Sequence, residues 1–186
     1  MPSVYELLKK SFLDSPVIER NGYPYFINPI SDGVPHVDPD LMNEVVEGMM
    51  AMGDFDCDMI LAPEAMGIPL AVPISLRLGI PYSIVRKRGY GIPGEIAVDR
   101  STGYSSGSMY INGLYGGERV VIVEDTLSTG GTARALALAL ASHDIKLVEI
   151  LAVFDKTEGP ADAVPGVRVK SMLRVGVRDG KPFLDC

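Results

Sequence analysis

Residues 119–134 read RVVIVEDTLSTGGTAR, an apolar run that meets two acids and then a Thr/Gly cluster. Val120, Val121, Ile122 and Val123 are four consecutive β-branched residues, which predicts a strand covered on both faces, as in a parallel sheet. The segment ARALALALASH that follows predicts a helix. In an open α/β sheet, ligands sit at the carboxyl ends of the strands, and a Gly-rich turn opening a helix offers backbone N–H groups and the positive end of the helix dipole. LSTGGT meets that description. Gly130 and Gly131 let backbone approach an anion closely, and the hydroxyls of Ser128, Thr129 and Thr132 can donate as well. A monophosphate fits so small a nest. The loop lacks the Gly-Lys-Ser/Thr of a nucleoside triphosphate loop and the G-x-G-x-x-G spacing of a dinucleotide fold. Glu124 and Asp125 would repel a phosphate placed against them, yet carboxylates are good acceptors for a sugar diol. A phosphate in the nest with a ribose leaning back over the two acids uses both features. The competing reading is an acidic strand end followed by a loop that only caps a helix.

Working outward, the same alternation recurs. DMILA reads as a short buried strand, GIPLAVPISLRLG as a helix, YSIV as a strand and LVEILAVF as another, which together predict an α/β fold with a central parallel sheet flanked by helices. The N-terminal part is different. Ser3 is placed to cap a helix over residues 4–13, with Val4, Leu7, Leu8 and Phe12 as its apolar stripe. Residues 15–38, dense in Pro, Gly and aromatics, predict short strands and turns, and Asp38-Pro39 starts a helix running to about Met52. This divides the chain into an N-terminal hood, 1–38, and a core, 39–186. Between Val85 and Val120 the pattern breaks into a Gly-rich loop, 88–107, and a hairpin strand, SMYI.

The 186 residues suit one domain with a full core, 47% of them apolar and 22% charged. No run approaches the roughly 18 apolar residues of a membrane span. The first residues carry acids and lack a basic leader, so a cytoplasmic protein is expected, and no membrane partner. A net charge of −7 argues against nucleic acid as a partner. Cys57 and Cys186 are too few and too distant to suggest a disulfide framework, and with two His no zinc spacing exists.

VVIVEDTLSTGGT closely resembles the phosphoribosyl diphosphate signature of type I phosphoribosyltransferases. The resemblance implies that Glu124 and Asp125 hold the ribose hydroxyls while the 128–132 loop holds the 5′-phosphate. LAPEAMGIPLA, a strand-to-helix turn in which Gly67 permits close packing, is similar to that family's diphosphate loop, so Glu64, Ala65, Met66 and Gly67 are implied there, with a cis peptide at Glu64–Ala65 or Ala65–Met66. IVRKRGYGIPGE puts three cations after a strand; it resembles the segment in which adenine phosphoribosyltransferases meet the diphosphate. Arg86 and Lys87 are the implied catalytic cations beside Asp125, and Arg88 and Tyr104 belong to a flexible loop that closes over the site. Where adenine enzymes carry Glu before that Tyr, this chain has Gly103, and where other hypoxanthine–guanine enzymes carry Asp it has Ser128.

Across nearly its whole length the chain is most similar to archaeal hypoxanthine/guanine phosphoribosyltransferases, which resemble adenine enzymes in architecture. This implies purine salvage: transfer of the 5-phosphoribosyl group from phosphoribosyl diphosphate to a purine base, with Mg²⁺ as cofactor, met by Asp125 through water, and a homodimer. The hood would supply the base pocket, with Tyr25, Phe26, Ile27 and Asn28 as candidates; an aromatic pair in a Pro-rich segment also serves as plain packing. An adenine or xanthine enzyme and a phosphoribosyl diphosphate-sensing regulator are the rival readings. The latter class usually adds a DNA-binding domain, for which this chain has neither room nor basic surface.

Overall fold

The central sheet has six strands in the order β10-β9-β8-β7-β3-β4. The structure, a computed structural model, describes residues 4–20, 22–102, 105–157 and 166–185. Its core alternates as the sequence predicts: β3 (Met59–Pro63), α4 (Gly67–Leu78), β4 (Tyr82–Val85), β7 (Arg119–Leu127), α5 (Gly131–Ser142) and β8 (Lys146–Asp155). The strands β4, β3, β7, β8 and β9 (Arg168–Arg178) pair in parallel, and β10 (Lys181–Leu184) closes one edge antiparallel to β9. β9 and β10 were not expected from the sequence. Charges interrupt their apolar pattern, because Arg168, Lys170, Arg174 and Arg178 all lie on β9. Lys170 pairs with buried Glu149 at 3.0 Å and Arg168 with Asp54 at 2.8 Å.

Both faces of the sheet are covered, which is why the inner strands are apolar without alternation. Successive β7 residues go to opposite sides. Val121 and Val123 join a cluster with Leu8, Phe12, Val45 and Ile74, from α1 (Glu6–Leu13), α3 (Pro39–Met52) and α4. Val120 and Ile122 join a second cluster with Leu136 and Leu140 of α5. That second face is shared by an antiparallel ribbon, β5 (Ile96–Thr102) with β6 (Ser105–Ile111), whose Ile96, Val98, Met109 and Ile111 are buried. The Gly-rich stretch 88–107 is therefore not one long loop. Its second half is paired strand, and alternate apolar residues hold the ribbon down despite its Gly and Ser content.

At the N-terminus, α1 starts at Glu6 behind Tyr5, which has φ 63°; the expected cap, Ser3, lies outside the described residues. Leu8 and Phe12 enter the main core, so this helix is built into the body. A hairpin of β1 (Val17–Arg20) and β2 (Tyr23–Phe26) follows, then the one-turn α2 (Pro29–Asp32). α3 begins as expected, with Asp38 accepting from the N–H groups of Asp40 and Leu41 and Pro39 at the first helical position.

Gly67 opens α4 against β7, and a Cβ there would stand 2.7 Å from the Val123 carbonyl oxygen. Backbone cannot rotate out of the way. Gly67→Ala should therefore destabilise the protein by about 1–3 kcal/mol, even though alanine is the better helix former. At this size that is about 3–10 °C in Tm, measurable by calorimetry. An unchanged Tm would mean that α4 can slide off the strand.

Candidate active site

β3, β4, β7 and β8 all end at one edge of the sheet, where their following loops gather. β7 runs on through Asp125 to Leu127, so the two acids are strand residues, and α5 begins four residues beyond Leu127 at Gly131. Gly130 caps that helix at φ 69°, a conformation that favours glycine. The Gly131 N–H reaches the Thr129 hydroxyl at 3.4 Å. Ser128 and Thr129 are exposed, and Gly130 is buried beneath them.

This loop forms one wall of a cavity of about 830 Å³. Glu64, Lys87 and Glu124 line it together with Ser128, Thr129, Gly130, Gly131 and Thr132. Eight of the residues singled out in the sequence thus face one space. Asp125 does not line it. Strand alternation sends its side chain to the other face of β7, toward the hood, where its charge is felt by the Tyr25 phenol. Burial raises the Glu124 carboxyl well above the usual range, and the neighbouring Asp125 charge adds to the rise; burial raises Asp125 also. A carboxylate pair so placed favours partners that donate hydrogen bonds or carry positive charge.

On the β3 side, the Glu64–Ala65 peptide is cis, and Gly67 is buried against β7 as described. Ala65 and Met66 complete the turn, and the Ile68 N–H closes back onto the Ala65 carbonyl at 3.3 Å. The Glu64 carboxylate accepts from the backbone N–H of Lys87 at 2.5 Å and from the Arg86 guanidinium at 3.2 Å, and these contacts hold it below the usual carboxylate range. The backbone of Arg86 exchanges two hydrogen bonds with Tyr110 of β6, at 2.9 and 2.7 Å. One carboxylate thus ties the β3 loop to the β4 end, which holds the ribbon. Arg88 lies beyond the lining of the cavity, and Tyr104 lies outside the described residues.

In the hood, Phe26 is 2% exposed and packs edge-on against Phe12 and Phe154, with centroids 5.1 and 5.5 Å away. Asn28 is fully buried. Its amide donates to Ser11 and Ser15, its carbonyl accepts from the Ile30 N–H, and it caps α2. Both side chains are occupied with the fold, and Ile27 is half-buried beside them. Tyr25 differs, being half-exposed with its hydroxyl on Asp32.

Three further residues at this edge escaped the sequence reading. Asp99 of β5 lines the cavity and accepts from the Ser108 hydroxyl at 3.2 Å. Lys156 follows β8, its N–H bonded to the Leu127 carbonyl at 2.8 Å, level with the start of the anion loop. Its ammonium stands 5.8 Å from the Tyr25 ring centre and 5.1 Å from that of Phe26, and burial lowers its pKa. The signal was present, since Lys156 comes after the apolar run of β8 just as the acids come after the apolar run of β7. Asp32, the third, is held between Tyr25, Ser31 and Asn28.

Comparison with known proteins agrees with this geometry. The phosphoribosyl transferase domain matches residues 42–169. A protein of Methanohalophilus mahii named hypoxanthine/guanine phosphoribosyltransferase is 47% identical over 97% of this chain and 96% of its own. One of the same name from Methanosarcina acetivorans is 51% identical over 83% of this chain and 82% of its own. Among solved structures, the adenine phosphoribosyltransferase of Thermoanaerobacter pseudethanolicus superposes with a TM-score of 0.75 at 26% identity, covering 90% of this chain and 99% of the other. The Saccharomyces cerevisiae adenine enzyme gives 0.74 at 22% identity over 93% and 100%, a likeness of fold. With its Thr/Gly loop, its strand-end acids and the Arg86–Lys87 pair gathered at one sheet edge, the chain belongs to the phosphoribosyltransferase family.

Proposed function

We propose that the protein transfers the 5-phosphoribosyl group of phosphoribosyl diphosphate to hypoxanthine or guanine, giving IMP or GMP and diphosphate in purine salvage. The observation that carries this is the single cavity in which the 128–132 loop, Glu124, Lys87 and Glu64 converge. The loop takes the 5′-phosphate, Glu124 and Asp125 take the ribose hydroxyls, and Lys87 and Arg86 face the diphosphate. A ring nitrogen of the base bonds to the anomeric carbon as the bond from that carbon to the diphosphate oxygen breaks, and the proton lost from the base leaves with the diphosphate. Positive charge develops on the sugar and negative charge on the leaving group, so catalysis is chiefly positioning and electrostatics.

Among the described residues, no three His, Cys, Asp or Glu side chains converge into a metal cage. Two hard carboxylates beside a phosphate-binding cavity nevertheless fit Mg²⁺, an ion that keeps several waters and binds through few protein oxygens plus substrate phosphates. Asp125 would hold it through water, and the ion would supply neutralisation of diphosphate charge. Closure of residues 88–104 over the bound substrate, with Arg88 and Tyr104 on that segment, would keep water from the activated sugar. No described helix is long and apolar enough to cross a membrane; a cytoplasmic homodimer completes the reading.

The base preference rests on Lys156. An ammonium only donates, which suits the acceptor oxygen of a 6-oxo purine and opposes the donor amine that adenine carries in its place. The relatives at 47% and 51% identity are named for hypoxanthine and guanine, whereas the adenine enzymes share chiefly the fold. Rates with hypoxanthine, guanine, adenine and xanthine, at matched Mg²⁺ and phosphoribosyl diphosphate, test this. Hypoxanthine and guanine should lead; adenine used as efficiently as hypoxanthine would overturn the ordering and leave the transferase assignment standing.

Lys87→Ala should raise the KM for phosphoribosyl diphosphate and slow turnover by about tenfold or more, the loss expected for one charged contact. Nucleotide product, which lacks the diphosphate, should bind nearly as before in a calorimetric titration. Equal losses for substrate and product would move Lys87 to the 5′-phosphate.

Burial gives Glu124 a dependence of stability on pH. Its pKa is raised in the fold, so between the ordinary carboxylate value of about 4.3 and the raised one the folded protein holds more protons than the unfolded chain. Ligand-free stability should therefore fall as pH rises through that window. Glu124→Gln should melt above the wild type at neutral pH, with the difference shrinking in acid, while its turnover drops by about tenfold or more. A Tm difference that stays constant from pH 5 to 8 would contradict a buried, titrating Glu124.

A further inference from the structure

Lys156 rests on two aromatic rings that are secured very differently. Phe26 is locked in the core between Phe12 and Phe154. Tyr25 is half-exposed, and its ring lies in parallel beside Phe26 with centroids 6.2 Å apart and planes 12° from parallel. The Arg20 guanidinium approaches the same ring at 5.4 Å. Core packing does not settle where such a ring stands; a hydrogen bond at its far end does. The Tyr25 hydroxyl donates to Asp32 Oδ1 at 2.5 Å.

Asp32 is itself well held. Its Oδ2 accepts from the Asn28 N–H at 3.0 Å and from the Ser31 hydroxyl at 2.7 Å, while its own N–H donates to the Asn28 carbonyl at 2.8 Å. Asn28, fully buried and bonded to Ser11 and Ser15 near the end of α1, anchors the turn to the body. A continuous chain of hydrogen bonds thus runs from α1 through Asn28 and Asp32 to the Tyr25 ring, and from there a cation–π contact reaches the Lys156 ammonium, assigned above to the base.

We infer that Asp32 is a positioning residue for base recognition: by fixing the Tyr25 ring it sets where the Lys156 ammonium stands, and so governs affinity for the purine separately from affinity for phosphoribosyl diphosphate. The inference rests on the role given to Lys156 above. Burial and the bond to Asp32 push the Tyr25 phenol up to about 12, so it remains a protonated donor throughout the neutral range. A cation over a ring face is directional but weak when exposed, so the ammonium follows the ring only if the ring is held still. Asp32 also places a negative charge at the hood, near enough to Asp125 to raise its pKa, so Asp32→Asn separates geometry from charge: the amide oxygen can keep the Asn28 N–H, the amide N–H can donate to the Tyr25 hydroxyl oxygen, and the charge is gone.

The test is steady-state kinetics of the full chain with Mg²⁺, hypoxanthine and phosphoribosyl diphosphate, for Asp32→Ala, Asp32→Asn, Tyr25→Phe and the double variant Tyr25→Phe/Asp32→Ala. Asp32→Ala and Tyr25→Phe should each raise the KM for hypoxanthine by about tenfold, the scale of one lost hydrogen bond to a charged group, with the KM for phosphoribosyl diphosphate within about twofold. Asp32→Asn should recover most of the loss, and the double variant should be no worse than Asp32→Ala alone, because both changes cut the same link. Should Asp32→Ala fail to fold, Tyr25→Phe alone carries the test, since it keeps the ring and removes only the hydroxyl. If both KM values rise together, or if Tm falls while the KM for hypoxanthine stays put, Asp32 is structural and the inference fails. A wild-type protein inert toward both hypoxanthine and guanine would instead bring down the functional reading, and this inference with it.

Discussion

The end of β7 carries the central constraint, because burial that favours Val120–Val123 opposes the two carboxylates that come next. Four β-branched residues with both faces covered make β7 an inner strand, and its continuous pairing with β8 extends through Glu124 to Leu127. The acids are thereby held in a ladder, without the freedom of a loop to turn toward bulk water. Burial raises the pKa of each. A ligand that brings hydroxyl donors and a hydrated cation supplies what the protein interior withholds, so part of its binding energy is the relief of this cost. Strand alternation adds direction. Glu124 belongs to the face covered by α5 and the ribbon, and Asp125 to the face that meets the hood.

The cations are arranged with the same economy. A protein of net charge −7 must grip phosphates locally, and here Lys87 and Arg86 stand at the end of β4 while Lys156 stands at the end of β8. Glu64 accepts from both the Arg86 side chain and the Lys87 backbone, so these two groups keep a defined orientation. Preorganised charge costs little reorganisation at the moment of reaction. The same Arg86 backbone binds Tyr110, so movement of the ribbon and presentation of these cations are mechanically joined.

Much of this was legible in the sequence because parallel strands buried on both faces leave an unambiguous apolar signature. The β3–α4–β4 and β7–α5–β8 units, the Asp38 cap, the anion loop and the close approach at Gly67 all follow from local pattern and turn chemistry. What was missed obeys tertiary demands. β9 carries four cations that find Glu149, Asp54, Asp185 and the Phe183 ring only in the fold. The ribbon was obscured by Gly and Ser, although Ile96, Val98, Met109 and Ile111 keep the period of two. In the hood, Phe26 and Asn28 are tied into the core, while Asp32 stands seven residues from the Tyr25 it holds. A hydrogen bond from a strand to the helical turn beyond it leaves no mark in composition or period.

On the proposed reading, base choice and phosphoribosyl handling would occupy different parts of this architecture. The 64–67 and 128–132 loops, the two acids and the Arg86–Lys87 pair are borne by β3, β4 and β7 with the turns that follow them, all within the 42–169 match to the family domain. The proposed base contacts come from β8's end and from residues 25–32, which precede that match. Lys156 follows β8 beside Leu127, at the same sheet edge as the two acids. A change in the hood can therefore alter which donor or acceptor meets the purine while leaving the phosphoribosyl machinery in place. The fold is shared with an adenine enzyme at a TM-score of 0.75 and 26% identity, alongside far closer sequence kinship with proteins named for hypoxanthine and guanine, as such a separation would allow.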